Sequence, residues 1–178
     1  GYRFLIASAV LFAWCALRGM PMRYRLRDHL FLALQGFLLF SANHIAFYLS
    51  VGYLTSGLVA VAFSTIVLMN IVLGAVLLGT PVRARIVAAG LIGVVGLGFV
   101  FAREIAGFDI ASAGTIGLGL ALIATAIASL GNMAVVRNQR AGIPLMQGNA
   151  YSMAYGCAAT FAIVLPFGLP IAFDPSVA

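Results

Sequence analysis

The sequence predicts an all-α integral membrane protein with six transmembrane helices, on three observations. Six long apolar stretches fill nearly all of its 178 residues. Its ten Arg and four Asp or Glu sit at the ends of those stretches or between them, never at their centres. Charged residues are only 8% of the chain, against about 25% in an ordinary soluble domain. A charge at the bilayer centre costs roughly 2.5–3.5 kcal/mol on insertion scales. Lipid therefore demands such segregation, whereas a water-soluble core does not. The runs are continuous and lack the period-2 alternation of a membrane barrel, which makes them helices.

A helix needs about 20 apolar residues to cross the hydrocarbon core. Spans are expected at 2–18, 30–50, 57–79, 86–102, 113–136 and 147–170. Arginine sets their direction. Arg18, Arg23, Arg25 and Arg27 follow the first span, Arg83 and Arg85 the third, and Arg137 and Arg140 the fifth; with Asp28 that side carries a net +7. The opposite side carries Arg3 and Arg103 against Glu104, Asp109 and Asp174, a net −1. By the positive-inside rule the arginine-bearing connections are expected to face the cytosol, and the expected location is the plasma membrane, as a multi-pass protein of a bacterial inner membrane. The formal net charge of +6 resides in these short loops, so the lipid bilayer is an expected partner and nucleic acid is not. Cys15 and Cys157 lie within apolar runs without CxxC or Cys/His spacing. They are read as packed thiols, and neither a metal nor a cofactor is expected.

The first and sixth spans align without gaps. YRFLIASAVLFAWCALRGMP (2–21) and YSMAYGCAATFAIVLPFGLP (151–170) share Tyr2/Tyr151, Ala9/Ala158, Phe12/Phe161, Ala13/Ala162, Gly19/Gly168 and Pro21/Pro170 at a constant offset of 149. That offset crosses five spans, so the second copy must insert upside down. Inverted repeats of this kind are a transporter architecture with the substrate held at the repeat interface. A five-helix unit predicts further native sequence at both ends.

The polar groups inside the spans are neutral. In the second span Ser41, His44 and Tyr48 are expected on one face by their i, i+3, i+7 spacing, with Asn43 alongside. His44 is the one intramembrane group able to titrate near neutral pH. It is either a substrate contact or proton-linked gate, or a neutral imidazole bonded to a neighbouring helix. The third span offers Ser64, Thr65 and Asn70; its hydroxyls can bond back to their own helix, and Asn70 is either an interhelical tie or a cavity donor. The fourth span carries Ala89, Gly93 and Gly96 on a small-residue face suited to close helix packing. The glycines of 93–98 follow no strand, which excludes a nucleotide-binding turn. In the fifth span Thr125, Ser129 and Asn132 share a face that should meet protein or a water-filled cavity. Pro166 in the last span either kinks that helix or ends it.

RFLIASAVLFAWCALRG, NHIAFYLSVGYLTSGLVAVAFSTIVLMNIVLGAVLLGTP and RIVAAGLIGVVGLGFVF resemble the EamA-type branch of the drug/metabolite transporter superfamily. The resemblance covers nearly the whole chain and is most specific over 43–81. It implies a fragment of a ten-helix bundle built from two inverted five-helix repeats. Residues 1–105 would be a first repeat lacking its first helix, and 106–178 the first two helices of the second. The family often has Pro near Val67 and Glu where this chain has Thr80. The resemblance implies that the second, third and fifth spans border the central cavity, making Ser41, Asn43, His44, Tyr48, Ser64, Asn70, Thr125, Ser129 and Asn132 the cavity candidates. It also implies transport of a small-molecule substrate, often by export of amino acids or related compounds.

A secondary transporter working by alternating access fits these features. No Walker motif is present for direct ATP use, and proton coupling could run through His44. An enzyme would need a nucleophile and base, a metal cluster or a carboxylate pair, and no acid lies near His44 in sequence. The alternative is a structural or sensory membrane subunit without transport.

Overall fold

A computed structural model describes residues 2–108 and 113–167. Asp109, Asp174 and the repeat positions Gly168 and Pro170 lie outside the described residues. The described chain is helical: α1 (Tyr2–Leu17), α2 (Leu26–Val51), α3 (Ser56–Leu78), α4 (Ala84–Val100), the short α5 (Ala102–Ala106), α6 (Gly114–Arg140) and α7 (Leu145–Val164). Gly19, Gly79 and Gly142 sit just past the ends of α1, α3 and α6 with φ of 60°, 61° and 83°. Only glycine adopts that left-handed turn without strain, so each is a stop signal.

Helices α2, α3 and α6, at 26, 23 and 27 residues, are long and apolar enough to cross a membrane. Helices α1 and α4 are apolar but shorter, at 16 and 17 residues. The outer faces of α3 and α4 are greasy, with Val76 73%, Ile92 72% and Phe99 78% exposed, a surface suited to lipid. The interior is built from small groups instead. Ala121, Ala124, Thr125 and Ser129 on α6 and Ala150 and Ser152 on α7 are fully buried. Lipid offers no hydrophobic drive between helices, so close approach of small residues holds them together.

Helix α7 packs between α1 and α2, α6 packs between α2 and α3, and α4 rests on α3. Helices α1 and α7 run antiparallel. The Ser8 hydroxyl donates to the Ala150 carbonyl at 2.8 Å. Tyr2 meets Phe161 edge-on at 5.9 Å, and Phe12 meets Tyr151 edge-on at 4.9 Å.

Three local features depart from regular spans. Within α2, Leu38–Ala42 is a π turn, and the Asn43 N–H bonds to the Leu38 carbonyl instead of that of Leu39. In α3 the helix breaks at Thr65: Ser64 donates its hydroxyl to the Val61 carbonyl at 2.7 Å and Thr65 donates to Ala62 at 2.6 Å. Such back-bonding competes with the helix ladder and bends it. Helix α7 passes into a 3-10 turn at Leu165–Phe167, so Pro166 marks its end.

The small-residue face expected of α4 does not carry close packing among the described residues. Ala89, Gly93 and Gly96 are exposed, and a Cβ built on Gly93 or Gly96 would meet nothing within 4 Å. The tightest backbone approach lies between α2 and α7, where a Cβ on Gly36 would fall onto the Ser152 carbonyl oxygen.

Candidate functional site

The polar stripe of α6 faces α3. Ser129 donates to Asn70 Oδ1 at 2.7 Å, and Asn132 Nδ2 donates to the same oxygen at 3.3 Å. Asn70 is therefore a tie between two membrane-capable helices, and its carboxamide oxygen holds both partners. Thr125 is fully buried and donates to its own helix at the Ala121 carbonyl, 2.7 Å away. Ser64 is likewise bonded within its own helix.

The π turn divides the expected face of α2. An extra residue in one turn rotates all later positions of the helix, so i, i+3, i+7 spacing no longer holds across it. Ser41 ends fully buried, His44 exposed, and Tyr48 85% exposed. Asn43, expected alongside, is buried. The Ser41 hydroxyl and Asn43 Oδ1 have no hydrogen-bond partner among the described residues. His44 Nδ1 lies 3.0 Å from the Leu39 carbonyl, the acceptor an α turn would have given Asn43. A carbonyl can only accept, so that contact places the ring proton on Nδ1 and leaves Nε2 open. The His44 ring also stands edge-on to Phe4 of α1 at 4.8 Å.

Sequence reasoning missed a second polar centre near the arginine-bearing end. Asn138 Nδ2 donates to Gln35 Oε1 at 2.9 Å, and Gln35 Nε2 donates to Asn149 Oδ1 at 3.2 Å. This chain of amides joins α6, α2 and α7. Arg137 donates to Asn138 Oδ1 at 3.0 Å, pairs with Asp28 at 3.4 Å, and lies 3.7 Å over the Phe31 ring. The visible signal was Gln35, an amide inside the second apolar run. Nearby, the Tyr155 hydroxyl lies 2.9 Å from His29 Nδ1, and Tyr151 donates to the Met22 carbonyl at 2.7 Å. Partial burial and the neighbouring Tyr151 push the Tyr24 hydroxyl above its usual 10.0, so it stays protonated through the neutral range.

The other arginines mark helix ends. Arg140 donates to the Leu78 carbonyl at 2.8 Å, satisfying an orphan group at the end of α3. Arg18 lies 4.8 Å over the ring of Trp14.

The model of the EamA-like transporter family matches residues 1–102, more than half of the chain. The chain belongs to the EamA-like transporter family. No curated protein and no solved structure matches it. EamA membership makes this an integral membrane protein and a transporter of the drug/metabolite type, acting on a small molecule in a lipid setting. Members of the EamA family are transporters and not enzymes. The match ends at α5, so α6, whose polar stripe holds Asn70, lies beyond the matched EamA segment.

Proposed function

We propose that this EamA chain spans the membrane six times, within a ten-helix secondary transporter of two inverted five-helix repeats. It exports small metabolites, amino acids or related compounds, by alternating access. The arginine-bearing connections face the cytosol of a bacterial inner membrane. On this reading residues 1–105 belong to the first repeat and 106–178 to the second.

One observation carries the inverted repeat. Tyr2 and Phe12 align with Tyr151 and Phe161 at the offset of 149, and two ring contacts among the described residues are Tyr2–Phe161 and Phe12–Tyr151. Each contact becomes the other when the two copies are exchanged. That reciprocity is what a two-fold relation between antiparallel helices produces.

The substrate path on this reading lies where α6 meets α2 and α3. Ser41, Asn43, His44, Tyr48, Ser64, Asn70, Thr125, Ser129 and Asn132 remain its candidate residues. The Ser41 hydroxyl and Asn43 Oδ1, without partners among the described residues, support this, because buried polar groups without partners are costly and rare. His44, with Nε2 open, is the candidate for proton coupling.

The test is efflux from cells preloaded with labelled amino acids. Expression should lower retained label for at least one of them, and His44→Ala and Asn70→Ala should reduce that effect at unchanged membrane abundance. Retention indistinguishable from empty-vector cells across all amino acids, with folding verified, would overturn the reading.

A further inference from the structure

We infer that a cavity at the arginine-bearing end of α3 and α4 is a binding site for an oxyanion, a carboxylate or phosphate carried on a partly apolar molecule. The cavity has a volume of about 320 Å³ and is lined by Val67, Asn70, Ile71, Thr80, Arg83 and Ile86, with Pro81 beside them. Three of these are polar. Val67, Ile71 and Ile86 give it an apolar wall.

The free hydrogen-bonding groups of Asn70 and Arg83 are donors, and the Thr80 hydroxyl can donate as well as accept. Both bonds to the Asn70 side chain end on Oδ1, from Ser129 and Asn132. Its amide hydrogens on Nδ2 therefore have no acceptor among the described residues. The backbone N–H of Thr80 is taken up by the Gly74 carbonyl at 3.0 Å, while the Thr80 hydroxyl has no partner there. Arg83 has no carboxylate partner among the described residues, where the ion pair is Arg137–Asp28. Asn70, Thr80 and Arg83 thus line one cavity, each with a group able to donate and with no acceptor for it among the described residues. Arg is a donor without any acceptor capacity, and its planar fork matches carboxylate and phosphate oxygens. A cationic guest would be repelled by the guanidinium, and a neutral oxygen would meet these donors without the charge-assisted bond that an oxyanion makes.

Position narrows the ligand further. The site lies next to the α3–α4 connection, where Gly79 turns the chain and α4 begins. Basic pockets between transmembrane helices at such a level take lipid headgroups. A carboxylated solute presents the same oxyanion chemistry. Because Asn70 also holds Ser129 and Asn132, an anion here would engage the same residue that ties α3 to α6. The inference concerns this cavity alone and stands whether or not amino acids are exported.

The experiment uses the full chain in nanodiscs of neutral phosphatidylcholine. Thermal unfolding is followed by thiol labelling of Cys15 and Cys157, both buried in the folded state. Two probes are titrated: short-chain phosphatidylglycerol and octanoate. Saturable stabilisation by the lipid assigns a headgroup phosphate, and by octanoate a solute carboxylate. Arg83→Gln and Thr80→Val should each weaken binding, Arg83→Gln by about tenfold or more, the weight of a charge-assisted bond. Thr80→Glu, which tethers a carboxylate beside the cavity, should abolish it. Arg85→Gln is the control, since Arg85 does not line the cavity. The inference is overturned if neither probe stabilises the protein, if Arg85→Gln weakens binding as much as Arg83→Gln, or if Arg83→Gln and Thr80→Val bind like the parent.

Discussion

Gly36 of α2 and Gly156 of α7 meet backbone to backbone: a Cβ on Gly156 would lie 2.6 Å from the Gly36 carbonyl oxygen, and one on Gly36 would lie 2.9 Å from the Gly156 nitrogen. Neither backbone can give way as the end of a flexible side chain could. Gly36→Ala should therefore destabilise the chain by about 1–3 kcal/mol, the usual cost of overpacking. Gly93→Ala, in open space on α4, should be neutral or stabilise by up to about 1 kcal/mol, since alanine is the better helix former. Thermal unfolding of both variants in one detergent checks the contrast.

The Asn70 tie predicts coupling between α3 and α6. Asn70→Ala and Ser129→Ala should be non-additive in a double-mutant cycle, with a coupling of about 0.6–1.7 kcal/mol, the range found for interhelical hydrogen bonds in membranes. Additive losses would mean that the 2.7 Å contact contributes nothing.

Asn138 is 2% exposed and Gln35 1% exposed. Removing Asn138 leaves Gln35 Oε1 without its donor in the interior. Asn138→Ala should cost about 1–3 kcal/mol, whereas a double change of Asn138 and Gln35 to apolar residues should cost less than the two single changes added. Equilibrium unfolding of the three variants measures this.

Ser41→Ala should move stability and transport in opposite directions. The hydroxyl is fully buried and has no partner among the described residues, so its loss removes a desolvation penalty and should raise the melting temperature. If Ser41 meets substrate, the same change should lower efflux. A variant both more stable and fully active would remove Ser41 from the substrate path.

Topology is open to a direct check. Gln139→Cys, exposed at the end of α6, should label only from the cytosolic side, and Tyr53→Cys, 50% exposed at the opposite end of α2, only from the other. Labelling of both from one side would reverse or break the proposed threading.

The helices were legible because apolar length is a one-dimensional signal. The expected 57–79 and 86–102 fall within two residues of Ser56–Leu78 and Ala84–Val100. Helices α2 and α6 run further into the arginine-bearing connections than hydropathy implied, starting at Leu26 and ending at Arg140. Charged residues such as Asp28 and Arg137 stop a membrane span without stopping a helix, and here they pair with each other. The stripe of α6 was readable because that helix is regular from Ser129 to Asn132. The face of α2 was not, because a π turn leaves no mark in a stretch containing neither Gly nor Pro. Gln35 and Asn138 were passed over because each lies far from its partner in sequence, and only the packing of α2 on α6 joins them.

The turn at Leu38–Ala42 stores one spare residue in the winding of α2. Were that slack drawn out into an ordinary α turn, everything from Asn43 to Val51 would swing by roughly 100° about the axis, the arc of one residue. The imidazole of His44 and the phenol of Tyr48 would sweep around the rod together, while Gln35 and Gly36, anchored below, would stay where they are. A single helix can in this way hold fast at one end and turn its other end like a key.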